Sequence, residues 1–130
     1  MIGYVTLGTR DLEKGAAFYD KVCATLGVGR MMENETFIAW GIPGGGPGIG
    51  LTRPFDGKPA TAGNGVMVAL ECKSPEEVDK VYATAMAAGG SDEGAPGHRS
   101  PGFYAGYFRD PDGNKLNAFV MGPAAGGETG

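Results

Sequence analysis

Apolar and polar positions alternate along this chain at two different periods, and the switch between them occurs twice. Tyr4-Val5-Thr6-Leu7 alternates every second residue, the mark of a strand with one covered face. Asp11 then precedes Leu12, Ala16, Tyr19, Val22, Cys23 and Leu26, steps of three and four that predict a helix capped by Asp11 and ended at Gly27. A shift of 63 residues lays Tyr4-Val5-Thr6-Leu7 on Met67-Val68-Ala69-Leu70, Asp11 on Ser74, Tyr19 on Tyr82 and Gly27 on Gly90. The second helix has Ser74 as cap, Pro75 at its first position and Glu77 completing a capping box. Val78, Val81, Tyr82, Ala85 and Met86 follow, and Gly89-Gly90 ends it. Further strands are predicted near Gly29 to Met32, Phe37 to Trp40, Gly48 to Thr52, Ser91 to Glu93, Phe103 to Arg109 and Leu116 to Met121. The chain reads as α+β, with βαβββ occurring twice.

The last two strands enclose Arg109-Asp110-Pro111-Asp112-Gly113-Asn114-Lys115-Leu116-Asn117, in which Pro111 and Gly113-Asn114 supply the chemistry of a tight reversal. This run resembles the closing hairpin of the vicinal oxygen chelate superfamily, which includes glyoxalase I, the fosfomycin and bleomycin resistance proteins and extradiol dioxygenases. The opening Tyr4 to Leu12 and Ala17-Phe18-Tyr19 resemble that family's first strand and helix, so the likeness runs from Met1 to about Met121. It implies two tandem βαβββ modules forming a curved eight-stranded sheet that encloses a cavity, with the helices on the convex face. One glyoxalase/bleomycin-resistance-like domain over residues 1–121 is expected, with module one about 1–55, module two about 64–121 and a flexible tail at 122–130. A homodimer is expected, since such assemblies are common in the family and some exchange modules.

In metal-dependent relatives the ligands come from the first, fourth, fifth and eighth strands. The corresponding positions here are Tyr4, Gly50, Met67 and Asn117, the last replacing a Glu. A divalent cation needs three or four His, Cys, Asp or Glu donors. No metal and no cofactor are therefore expected. Strand parity directs Val5, Leu7, Val66, Val68, Leu70, Leu116, Ala118 and Val120 to the helices, leaving Tyr4, Thr6, Met67, Ala69, Glu71, Asn117, Phe119 and Met121 for the cavity.

Composition narrows the partners. With 130 residues and 42% apolar content the chain suffices for one core, and a formal charge of -4 argues against nucleic acid and anionic membrane surfaces. Neither a leader nor a membrane span is read, and Cys23 and Cys72 are expected as reduced thiols, which together imply a cytoplasmic protein. Of 25 glycines many gather in Gly41 to Gly50 and in the tail from Gly122, which has nothing to bury.

Ligand-binding candidates are Tyr4, Thr6, Trp40, Met67, Tyr107, Arg109, Asn117 and Phe119. Tyr107 precedes the turn as a tyrosine does in the fosfomycin-resistance members, where it points into the cavity. Arg109 shares its parity and suits either an anionic ligand group or a pairing with Asp110 or Asp112. Trp40 is a candidate for stacking on a flat ligand. Catalysis has three weak candidates, Tyr107, Arg109 and His98, the only histidine, read as lying in a loop at Ala95 to Gly102. Two functions follow. One is a glyoxalase/bleomycin resistance-like protein binding a small molecule in its cavity without a catalytic metal. The other is a glyoxalase-like lyase or isomerase of the lactoylglutathione lyase type, with an atypical or absent metal site. An unliganded protein-interaction module stands third.

Overall fold

The computed structural model describes residues 1–127. Its first half contains β1 (Tyr4–Gly8), α1 (Leu12–Ala24), β2 (Arg30–Glu33), β3 (Phe37–Trp40) and β4 (Gly48–Thr52). The second contains β5 (Val68–Glu71), α2 (Pro75–Ala87), β6 (Ser91–Ser100), β7 (Phe103–Arg109) and β8 (Lys115–Met121). The two helices begin and end 63 residues apart, as the repeat requires. The eight strands form two hydrogen-bonded sheets of four, ordered β1-β4-β3-β2 and β5-β8-β7-β6, with the outermost pair parallel in each.

Local chemistry accounts for the helix ends. Asp11 accepts from the Lys14 amide at 3.1 Å and Ser74 from the Glu77 amide at 3.2 Å. Glu77 reaches back one residue further than a capping box requires, accepting from the Lys73 amide at 2.8 Å. Gly27, with φ 74°, lets the Val28 amide bond the Cys23 carbonyl and close α1. Each helix covers one face of its own sheet. Leu7, Ile38, Leu51 and Val22 then join Val78, Val81, Phe108 and Leu116 in a single core, bridged where Phe18 lies 6.4 Å from Phe108. Cys23 and Cys72 are free and buried, and burial pushes both thiols up to about 12, so neither is a ready nucleophile. No helix among the described residues is long and apolar enough to cross a membrane.

The β7–β8 turn does more than reverse the chain. Asp110, buried, accepts from the Tyr19 hydroxyl of α1 at 2.7 Å and from the Asn114 side-chain amide at 2.9 Å, while the same Asn114 amide donates to the Gly8 carbonyl of β1. Asp112 accepts from the Thr9 hydroxyl at 2.6 Å and the Arg10 amide at 2.9 Å. The turn of module two thereby grips the β1–α1 junction of module one.

Three readings need correction. β6 extends to Ser100 where a loop was expected, because an edge strand absorbs Gly94, Pro96 and Gly97 as register shifts. Val66 is exposed ahead of β5 rather than packed under a helix, since the strand begins only at Val68. The tail is not without burial: Pro123–Ala125 makes one 3-10 turn, Ala125 is buried, and its carbonyl lies 3.1 Å from His98 Nε2. The rest of that expectation, residues 128–130, lies outside the described residues.

Two predictions follow from these contacts. Asp112→Ala removes two charge-assisted bonds between modules and is expected to cost about 2 kcal/mol in urea unfolding, whereas Arg10→Ala, an exposed partner, costs less than about 1 kcal/mol. Equal midpoints for the two variants would remove the grip from the stability account. The second concerns pH. The Arg30 guanidinium bonded to Asp20 holds its carboxyl below the usual range, with Trp40 Nε1 adding a 2.9 Å bond. A lowered folded value contributes stability that is full above about pH 4 and is lost as pH falls through the shifted value. Asp20→Asn should therefore shed stability at pH 7 and converge with the wild type in strong acid.

Candidate functional site

β8 exposes its alternation plainly. Leu116, Ala118 and Val120 enter the core, so Lys115, Asn117, Phe119 and Met121 turn to the sheet's outer face, where Asn117 lies between Tyr107 of β7 and Ala69 of β5. Asn117 is nevertheless only 2% exposed, and its Oδ1 has no hydrogen-bond partner. Buried amide oxygens are nearly always paired, and an orphan costs about 1–3 kcal/mol. Beside it the Tyr107 ring carries two cations, the Arg99 guanidinium 5.3 Å and the Lys115 ammonium 5.6 Å from its centroid.

These cations differ in their other partners. Arg99 donates to the Gly97 and Ala95 carbonyls at 2.9 and 2.7 Å and meets no carboxylate among the described residues. Arg109 donates to the Gly113 carbonyl at 2.7 Å, and its Nε lies 3.3 Å from Glu93. It pairs with neither Asp110 nor Asp112, because those carboxylates are occupied across the module boundary. Lys115 lies 3.9 Å from the same Glu93. Val66, Met67, Arg109 and Lys115 border an open cleft of about 620 Å³. Phe119, half-buried, stacks on Phe103 at 6.0 Å.

The outer face of the first sheet has another character. Tyr4 is 66% exposed and meets Phe37 edge-on at 6.5 Å. Phe37 lies over Gly50, where a Cβ would come within 2.6 Å of its ring, so this position stays empty for the sake of the aromatic above it. Met32, opposite Ala39, extends the same apolar wall.

The chain thus divides the expected site. Tyr107, Arg109, Asn117 and Phe119 gather on the second sheet, Met67 lies just ahead of β5, Tyr4 and Thr6 stand on the first sheet, and no strand of one sheet packs substantially on a strand of the other. Trp40 leaves the group: 1% exposed, it faces Tyr19 at 5.4 Å in the core and donates to Asp20. Its register opposite Ile49 turns it toward α1, a parity that an isolated four-residue strand conceals. His98 stands on β6, not in a loop, against Tyr104 at 5.0 Å and the Ala125 carbonyl, with Tyr104 bonded to Asp79 of α2. It is turned away from Tyr107. Arg99 was absent from the sequence reading, because the Pro- and Gly-rich stretch around it gave no strand parity to follow.

The four positions corresponding to the family's metal ligands offer a phenol, no side chain, a thioether and an orphan amide. Among the described residues no three His, Cys, Asp or Glu side chains are grouped to hold a metal ion. Tyr4 and Gly50 belong to one sheet, Met67 and Asn117 to the other side of the molecule's core. This donor set does not fit a divalent cation.

Comparison with known proteins follows the same line. The family model of the Glyoxalase/Bleomycin resistance protein/Dioxygenase superfamily matches residues 1–118. A glyoxalase/bleomycin resistance protein of Albidiferax ferrireducens T118 is similar in structure, with TM-score 0.85 and 39% identity over 92% of this chain and 97% of that one. A glyoxalase/bleomycin resistance protein/dioxygenase of Nocardioides gives TM-score 0.66 and 28% identity over 100% and 89% of the two chains. A lactoylglutathione lyase of Agrobacterium tumefaciens, at 24% identity, TM-score 0.66 and 92% coverage of both chains, shares the fold. Among curated proteins none matches. The chain belongs to the Glyoxalase/Bleomycin resistance protein/Dioxygenase superfamily.

Proposed function

We propose that this protein binds a small molecule without a catalytic metal, in a cavity built by two copies of the chain. The observation that carries the reading is Asn117, a buried amide with an orphan oxygen where metal-dependent relatives place a carboxylate ligand. Arg109 and Lys115 of the same sheet line an open cleft of about 620 Å³, a concavity of the size that holds a small molecule.

The dimer rests on what a single chain leaves uncovered. β1 and β5 are both free edges of their sheets; β1 carries no charge, and Ile2, Tyr4, Val66 and Met67 are exposed beside these edges. An uncharged free edge invites pairing with another chain. A twofold assembly sets the first sheet of one copy against the second sheet of its partner and forms two identical cavities. Each would combine the Tyr4 and Phe37 wall with the Tyr107 and Asn117 face. A cytoplasmic location belongs to the same reading, supported by two buried thiols that are not paired.

The tests separate assembly, binding and turnover. Sedimentation should give a dimer for the wild type, and Tyr4→Asp should weaken association at least about tenfold without lowering the thermal midpoint of the monomer. A wild-type monomer at all concentrations would overturn the shared cavity. Elemental analysis should find less than stoichiometric zinc or nickel, and the glutathione hemithioacetal should not be isomerised. Stoichiometric metal together with turnover would replace this reading by the lyase or isomerase one.

A further inference from the structure

The segment that joins β4 to β5 carries Asn64-Gly65 in an exposed turn, on the wall of the cleft that Arg109 and Lys115 border. We infer that Asn64 is a site of spontaneous deamidation, and that the carboxylate formed there neutralises this cleft.

The step needs only water. The Gly65 amide nitrogen loses its proton to solvent hydroxide and attacks Asn64 Cγ. The N–Cγ bond forms, the Cγ–Nδ2 bond breaks, and ammonia leaves with a proton returned by water, so that a cyclic imide remains. A second water then cleaves the imide. Breaking the Cγ–N bond gives aspartate, and breaking the bond from the Asn64 main-chain carbonyl carbon to nitrogen gives isoaspartate. In balance, one amide and one water give one acid and one ammonia.

Local structure leaves both reacting groups free. Asn64 and Gly65 are the central residues of a turn closed by one 3.4 Å bond from the Val66 amide to the Gly63 carbonyl, long enough to open without disturbing a strand. Among the described residues the Asn64 side chain and the Gly65 amide make no hydrogen bond, and no atom lies within 4 Å of the place a Gly65 Cβ would take. Glycine thus gives the attacking nitrogen an unhindered path. The other three asparagines are held. Asn34 Oδ1 accepts from the Thr36 and Phe37 amides, Asn114 Nδ2 donates to Gly8 and Asp110, and Asn117 is buried within β8. Asp56-Gly57 and Asp112-Gly113 could close the same ring, but the Gly57 and Gly113 amides donate to the Pro54 and Asp110 carbonyls.

The charge change falls where it matters. Residues 62–67 bring no charge to the cleft, and Arg109 and Lys115 stand directly opposite one another in register. They share one carboxylate, Glu93, at 3.3 and 3.9 Å. Two cations against one anion leave a positive charge, which a carboxylate at residue 64 offsets.

The test uses the full-length protein in mildly alkaline buffer made with heavy-oxygen water, read by peptide mapping. Residue 64 is expected to convert first, to aspartate and isoaspartate carrying one heavy oxygen, with ammonia released in equal amount while Asn34, Asn114 and Asn117 stay amides. Asn64→Gln should slow ammonia release at least about tenfold, because its longer side chain closes a less favourable ring. Earlier conversion at another asparagine, or an unchanged residue 64 once the urea-unfolded chain has converted there, overturns the site. The charge effect is read separately. Asn64→Asp should have a higher thermal midpoint than Asn64→Gln at low salt, the gap closing at high salt. A lower midpoint, as one more acid on a chain of net charge -4 would give away from cations, overturns the neutralisation, and so does a gap that salt leaves unchanged.

Discussion

The molecule depends on the grip that the β7–β8 turn takes on the β1–α1 junction. Asp110 gathers Tyr19, Asn114 and the Asp112 amide around one buried carboxylate, and Asn114 passes the connection on to Gly8. Burial pushes that carboxyl upward and its donors only partly offset the push. The ionised form therefore costs stability at neutral pH, a cost relieved as pH falls through the raised value. Such a group contributes less to net stability than to choosing one arrangement, because any other docking of the modules would strand several buried donors.

That arrangement decides where the outer faces point. With α1 and α2 packed together and Phe18 against Phe108, the core is made from the helix-facing sides of both sheets. The remaining sides turn outward, one apolar around Tyr4 and Phe37, the other cationic around Tyr107. A chain that formed its core the other way would enclose a cavity alone. This one builds its core on the helix-facing sides of both sheets, and the cavity proposed with a second copy would use the sides that remain.

The loss of metal ligands also looks different in three dimensions. Gly50 is held small by the Phe37 ring above it, and Asn117 is walled in by its neighbours with an oxygen left over. A carboxylate side chain at Gly50 would meet space that the Phe37 ring already occupies.

Much of this was determined by the sequence itself. Periodicity, caps and terminal glycines are local, governed by contacts within a few residues, so both helices, the 63-residue repeat and seven strands close to their observed ranges were readable from it. Strand parity likewise assigned Tyr107, Asn117 and Phe119 to one face. Tertiary structure alone decided what depends on distant partners. β6 runs through Pro96 and Gly97 because an edge can bulge, and Pro96 in turn rests on Gly106, where no Cβ would fit. Trp40 turned inward because Asp20 and Tyr19 were waiting for it. Arg99 reached Tyr107 only through a bulged register. Asp110 and Asp112, which looked like ordinary turn residues, became the bond between modules because their acceptor oxygens found donors about a hundred positions away in the chain, a pairing no local pattern encodes.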